Sequence, residues 1–203
     1  MSLKARINYL HMEKLTGKKI DTAVFISGSG SNLNSIIKNS LKKNFPIKIS
    51  LVISNNKKAH GINYAKNSKI KFKIIDSKKM TNFESKTLII LKKSNIKLIC
   101  LAGFMKVLSD KFIKEFKYKI LNIHPSLLPK YKGLNTHKRV LKNKEKFSGC
   151  TVHCVTNKLD SGRIILQKKV RIIKADNEKT LRKKILKIEH LLYPKAIKLA
   201  LKN

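Results

Sequence analysis

Short apolar runs alternate with Lys-rich amphipathic stretches along most of this chain, and that alternation leaves few folds open. "TAVFIS" (22–27) reads as a buried strand, followed by a Gly/Ser loop and the helix-like "NLNSIIKNSLKK". "IKISLVIS" (47–54) is a second strand, with a helix around 61–68, and "IKFKIID" (70–76) is a third. "FESKTLIILKKS" has helical period, "KLICLAG" (97–103) is the fourth strand, a short helix lies near 110–116, and "YKILNIH" is the fifth strand. Strands alternating with helices imply a parallel sheet covered on both faces. Beyond it, "GCTVHCVT" and "IILQKKVRI" lie close together and are expected as an antiparallel pair added to the sheet, before a last helix from 178 to about 201. The expected fold class is therefore α/β, an open, mostly parallel twisted sheet with an antiparallel C-terminal strand pair. At 203 residues one core suffices: a basic N-terminal arm over 1–21 and a single domain over 22–203.

Composition narrows the function classes. Lys and Arg number 47 against 11 acids, a formal charge of +36. A basic surface attracts phosphates, but here Lys is spread along the whole chain, Arg is scarce and aromatics make up only 6%. We read the charge as compositional, with no specific nucleic-acid partner. No apolar run approaches the roughly 18 residues of a membrane span, and the N-terminus lacks the apolar core of a signal peptide, so a cytoplasmic protein without membrane attachment is expected. Cys100, Cys150 and Cys154 are expected as reduced, mostly buried thiols.

In open α/β sheets ligands bind beyond the carboxyl ends of the strands, and two stretches fall there. "SGSGSN" (27–32) lets backbone N–H groups approach an anion at a helix N-terminus. It is neither G-x-G-x-x-G nor a Walker loop. A single phosphate fits it best, with Ser31 or Asn32 as N-cap in the alternative reading as a plain turn. The second is "LNIHPSLLPKYKGLNTHK" (121–138), where Asn122 and His124 share one strand face before two prolines and a loop. An amide and an imidazole aimed at one point can stabilise an oxyanion and move a proton. Asp160, in a turn-like Asp-Ser-Gly, is a candidate partner that would raise the imidazole pKa, or a plain turn former. Cys150, His153 and Cys154 have no second ligand pair, so no metal is expected.

"VFISGSGSNLNSII", "VISNNKKAHGINYAK", "LAGFMKVLS", "LNIHPSLLPKYKGLNTHK" and "GCTVHCVTNKLDSGRIILQKKV" together resemble the phosphoribosylglycinamide formyltransferases, in that family's order and over nearly the whole chain. The resemblance implies a Rossmann-like formyltransferase domain. It also implies transfer of the formyl group of 10-formyltetrahydrofolate, a co-substrate, to the amine of glycinamide ribonucleotide in purine synthesis, without a metal, by a monomer or homodimer. It makes Asn122, His124 and Asp160 the catalytic residues, with Asp160 keeping His124 charged and positioning a water. Gly30, Ser31 and Asn32 would hold the substrate phosphate and Glu189 the ribose. Met105, Lys106, Val107 and Leu108 would line the folate pocket with Asn122 and Asp160, opposite the loop 155–160.

Three positions depart from the family pattern. Met80 stands near the place of a basic folate-tail contact, where Lys78 or Lys79 is the substitute. Leu186 replaces a polar substrate contact. Asn135 and His137 stand where the family has His-Thr-His, and His137 is left a supporting or structural role. Methionyl-tRNA formyltransferase and formyltetrahydrofolate deformylase are the nearest rivals, and each would carry a further domain. A non-enzymatic polybasic RNA-binding protein is the rival from another class, and it leaves Asn122, His124 and Asp160 without a role.

Overall fold

The computed structural model describes residues 18–202, so most of the expected N-terminal arm lies outside the described residues. Seven strands form one sheet in the order β3-β2-β1-β4-β5-β6-β7. They are β1 (Ile20–Ile26), β2 (Ile47–Ser54), β3 (Phe72–Ile74), β4 (Leu98–Leu101), β5 (Lys119–His124), β6 (Phe147–Cys154) and β7 (Ile164–Arg171). The first five run parallel, while β6 pairs antiparallel with β5 and β7 antiparallel with β6. Six helices occur among the described residues: α1 (Ser31–Ser40), α2 (Gly61–Asn67), α3 (Met80–Lys93), α4 (Asp110–Phe116), α5 (Thr136–Lys142) and α6 (Glu178–Ala200). The expected fold class is the observed one.

Alternation along each strand sorts the side chains into two cores. Val24, Ile26, Leu98, Cys100, Leu121 and Ile123 join one face, covered by α1, α2, α5 and α6. Ala23, Phe25, Ile99, Leu101 and Ile120 join the other, where α3 and α4 contribute Phe83, Leu91, Phe112 and Phe116. Asn122 and His124 fall in step with Ile120, on the second face, at the strand's carboxyl end.

Two differences from expectation have local causes. β3 is only three residues long, because it is an edge strand paired on one side with half-exposed side chains. Residues 136–142 form α5 rather than loop. Asn135, at φ 56, ends the preceding loop in the left-handed region, and Thr136 and Val140 supply a buried stripe too short to show a helical period.

The longest helix, α6, ties the layers together. It starts on a capping box in which Asn177 Oδ1 accepts from the Thr180 N–H at 3.0 Å and Thr180 Oγ1 accepts from the Asn177 N–H at 2.9 Å. Pro194 lies inside the helix; it lacks the N–H that would reach the His190 carbonyl, and the Ser35 hydroxyl of α1 donates there instead at 2.6 Å. The same feature that would break an isolated helix therefore docks α6 on α1. One residue earlier, fully buried Tyr193 shares its O–H between the carbonyls of Leu101 and Leu121, each at 3.0 Å. These carbonyls belong to β4 and β5 where the strands reach the site.

Tyr193→Phe keeps the packing and leaves both carbonyls short of a donor. Both carbonyls also accept in the β4–β5 ladder, so the loss is that of one net hydrogen bond, about 0.5–1.5 kcal/mol, and urea denaturation should show it with an unchanged m value. A loss below about 0.5 kcal/mol would show that the bridge contributes less than an average net hydrogen bond.

Candidate active site

The carboxyl end of β1 delivers the first half of the site. Ser27 Oγ donates to Asn55 Oδ1 at 2.6 Å and accepts from the Met105 N–H at 2.8 Å, so the loops after β1, β2 and β4 are joined at one hydroxyl. The chain then turns at Gly30, whose φ of 73 opens α1 without a side-chain cap. This corrects the expectation of Ser31 or Asn32 as N-cap. A Cβ at Gly30 would lie 2.3 Å from the Gly61 Cα, so the α1 and α2 N-termini approach closely only because both residues are glycine. Asn32 is buried and its Nδ2 donates to Glu189 Oε2 of α6 at 2.7 Å. The Asn32 Oδ1 is buried without a hydrogen-bond partner. Burial pushes the Glu189 carboxyl up to about 7, against the Asn32 amide and the Arg182 charge, which pull it down.

The second half stands on β5 and β6. Their antiparallel register sets Asn122 opposite His153 and His124 opposite Thr151. Asn122 Nδ2 approaches His153 Nε2 at 3.2 Å, and His153 Nδ1 lies 2.9 Å from the Cys154 carbonyl. A carbonyl can only accept, so His153 Nδ1 carries a proton, and in the singly protonated ring Nε2 is the acceptor that faces the Asn122 amide. One Asn122 N–H remains for a ligand.

Asp160 reaches the pair from the loop between β6 and β7. Its Oδ2 lies 3.3 Å from His124 Nδ1 and its Oδ1 3.6 Å from His153 Nε2, while the Gly133 N–H donates to Oδ2 at 2.9 Å. Asp160 itself sits at φ 45, a left-handed conformation that costs energy for a non-glycine residue and persists where the surroundings demand it. The loop is held close by Gly162, where a Cβ would lie 1.8 Å from the Cys154 carbonyl oxygen. Burial acts to raise the Asp160 carboxyl, but His153, the Gly133 N–H and His124 together hold it below its ordinary value.

His124 differs from expectation in its charge. Burial pushes its imidazole below the ordinary value and outweighs the Tyr131 carbonyl and the Asp160 carboxylate, which act the other way. The strand end that aims the ring also removes it from water, which disfavours its charged form. Both ring nitrogens face acceptors, Nε2 the Tyr131 carbonyl at 2.9 Å and Nδ1 Asp160. A neutral ring satisfies one of them and a protonated ring both. The loop bearing that carbonyl hangs on Thr151, whose Oγ1 donates to the Ser126 carbonyl at 2.7 Å and accepts from the Leu128 N–H and Gln167 Nε2.

The remaining expected residues lie around this centre. Met105, Lys106 and Val107 are exposed just beyond β4, with Met105 at 66%, and Leu108 is buried. Met80 opens α3, with Lys79 as its N-cap. His137 keeps a buried Nδ1 without a partner, and burial lowers its imidazole. His153 is the residue that sequence reasoning passed over: weighed only as a zinc ligand, it belongs to the Asn122–Asp160 cluster. Its period-2 alignment with Thr151 on β6 was the available signal.

Comparison with known proteins gives a consistent picture. The family model described as formyl transferase matches residues 20–197. The chain is 42% identical to the phosphoribosylglycinamide formyltransferase of Haemophilus influenzae, covering 89% of this chain and 86% of that one. It is 41% identical to the trifunctional purine biosynthetic protein adenosine-3 of Gallus gallus over 92% of its length, and spans only 19% of that much longer protein. Among solved structures, the phosphoribosylglycinamide formyltransferase of Brucella melitensis is similar at a TM-score of 0.86 and 38% identity, over 92% of this chain and 97% of that one.

The raised Glu189 carboxyl carries a stability signature. The fold favours its protonated form, so its contribution is full below about 4.5, falls as pH rises and is gone above about 7. At about 1.4 kcal/mol for each tenfold change in proton affinity, the swing amounts to a few kcal/mol. Glu189→Gln should remove it: chemical denaturation across that range should show a stability advantage of wild type over variant that shrinks with rising pH. Parallel pH profiles would mean that Glu189 titrates normally.

Proposed function

The chain belongs to the formyl transferase family, and from that premise we propose that it transfers the formyl group of 10-formyltetrahydrofolate to the amine of glycinamide ribonucleotide. The products are N-formylglycinamide ribonucleotide and tetrahydrofolate, and the reaction serves purine synthesis. The observation that carries the site assignment is the convergence of Asn122, His124 and Asp160 at the carboxyl edge of β5, beside the Gly30–Asn32 turn.

In this reading the backbone at Gly30, Ser31 and Asn32 takes the substrate phosphate, with the α1 N-terminus supplying a favourable dipole. Glu189 accepts from a ribose hydroxyl. The folate lies against Met105, Lys106, Val107 and Leu108, where the exposed apolar side chains of Met105 and Val107 suit a flat heterocycle, with the loop 155–160 as the opposite wall. The folate supplies the formyl carbon; the rest of the chemistry falls to side chains. As the amine nitrogen bonds to that carbon, negative charge grows on the formyl oxygen, and the free Asn122 N–H donates to it. The growing charge also favours a protonated His124, which then satisfies the Tyr131 carbonyl and Asp160 together. Asp160, held ionised, orients a water that carries the proton from the attacking nitrogen to the departing folate nitrogen as the old C–N bond breaks. His153 keeps the Asn122 amide in its donating orientation.

A positioned acid or base contributes roughly 10²–10⁴-fold to rate. His124→Ala and Asp160→Asn should each lose kcat in that range, read as folate absorbance with glycinamide ribonucleotide as acceptor, while circular dichroism stays unchanged. Near-normal turnover in either variant would withdraw the assignment of that residue. Hydrolysis of the formyl donor or formylation of tRNA in place of the expected product would move the reaction to another member of the family.

A further inference from the structure

The loop 131–135, between β5 and α5, meets two members of the candidate site through its backbone. The Tyr131 carbonyl lies 2.9 Å from His124 Nε2, and the Gly133 N–H donates to Asp160 Oδ2 at 2.9 Å. We propose that Arg139, an exposed residue of α5, is a positioning residue for formyl transfer, the side chain that holds this loop where His124 and Asp160 need it. The inference rests on the functional reading above, and Arg139 acts in it through the loop rather than on the reacting atoms.

The shape of the loop is costly. Tyr131, Gly133 and Asn135 lie at φ 57, 76 and 56, and for a bulky residue such as Tyr131 the left-handed region persists only where contacts demand it. Arg139 makes such contacts at the intervening residues. Its Nη1 donates to the Lys132 carbonyl at 2.6 Å and to the Leu134 carbonyl at 3.4 Å, so two carbonyl dipoles that would repel one another converge on one cation. Its guanidinium carbon lies 5.4 Å from the centre of the Tyr131 ring, within cation–π range. At the end of α5, Asn143 Nδ2 donates to the Tyr131 hydroxyl at 2.9 Å, and that hydroxyl donates to Glu145 Oε1 at 2.9 Å. Residues four apart share one helix face, so Arg139 and Asn143 grip the backbone, ring and hydroxyl of one loop together. A planar fork that bonds carbonyls at its edge and meets a ring with its face is a property of arginine, and a lysine ammonium lacks it.

The positive charge of Arg139 also acts to lower the His124 imidazole, and two variants separate charge from geometry. Arg139→Lys keeps the charge and loses the fork, while Arg139→Met keeps an apolar stem and loses both. With glycinamide ribonucleotide and 10-formyltetrahydrofolate, Arg139→Met should lower kcat about three- to tenfold, the range of one net hydrogen bond, with both KM values within about twofold of wild type. Arg139→Lys should recover only part of that loss. In hydrogen exchange followed by NMR, the Gly133 amide of Arg139→Met should exchange faster than in wild type, while the Val140 amide inside α5 keeps its rate. Thermal melts confirm that both variants fold. An unchanged kcat, unchanged Gly133 exchange, or Gly133 and Val140 rates that rise together would reduce Arg139 to a support of its own helix and overturn the proposal. Full kcat in Arg139→Lys would make the effect one of charge and overturn the clamp, and so would a raised KM with kcat intact. A wild-type chain that transfers no formyl group would sink the functional reading instead, and the Gly133 amide decides separately whether Arg139 holds the loop.

Discussion

The antiparallel pairing of β6 on β5 is the constraint on which the candidate site rests. In a strand pair the side chains repeat every second residue, and a slip of one position would turn every one of them to the opposite face. The observed register sets His153 against Asn122 and Thr151 against His124. Both polar pairs then stand on one face at the strand end, the first forming the amide–imidazole contact and the second anchoring the loop whose carbonyl meets His124. The β6–β7 connection follows from the same pairing and returns Asp160 to the cluster. Without that reversal of direction a sixth parallel strand would need a crossover of a dozen residues or more, and nothing so short could bring a carboxylate back to this edge.

Helix α6 supplies the second support, from beneath. One face of it presents Glu189 to the α1 turn and, one helical turn on, Tyr193 to the carbonyls of β4 and β5. Its proline would weaken an isolated helix; here the carbonyl it frees is taken by Ser35 of α1. The polar contacts of α6 thus reach the Gly30–Asn32 turn and the strand that bears Asn122. The two halves of the site are held at a common spacing by one rigid element, as positioning of two reactants requires.

Much of the architecture was legible in the residues. The strand at 47–54 and the helix at 110–116 match β2 and α4, and the antiparallel pair was expected from the short connection between its strands. These succeed because a buried strand needs a continuous apolar run and a covering helix needs an apolar stripe, both written locally. The misses are contacts at a distance. Residues 136–142 carry too few buried positions to display a period, so α5 emerges only when the loop before it has been placed. Gly30 takes the cap that Ser31 or Asn32 was expected to hold, because the approach of Gly61 forbids a side chain there. His153 was weighed as a metal ligand from its cysteine neighbours, whereas its partner across the sheet is an amide.

The charge of His124 marks the same boundary. The sequence by itself determined the fold class, the strand that ends on Asn122 and His124, and the Gly/Ser turn beyond β1, since each depends on residues adjacent in the chain. Only the tertiary structure decided that Asp160 reaches the imidazole, that His153 joins them, and that burial disfavours the charged ring. Proximity to a carboxylate raises an imidazole pKa and burial lowers it, and which prevails depends on how much water the packed sheet, loop and helix exclude. That balance is set by atoms far apart in sequence, and no local pattern records it.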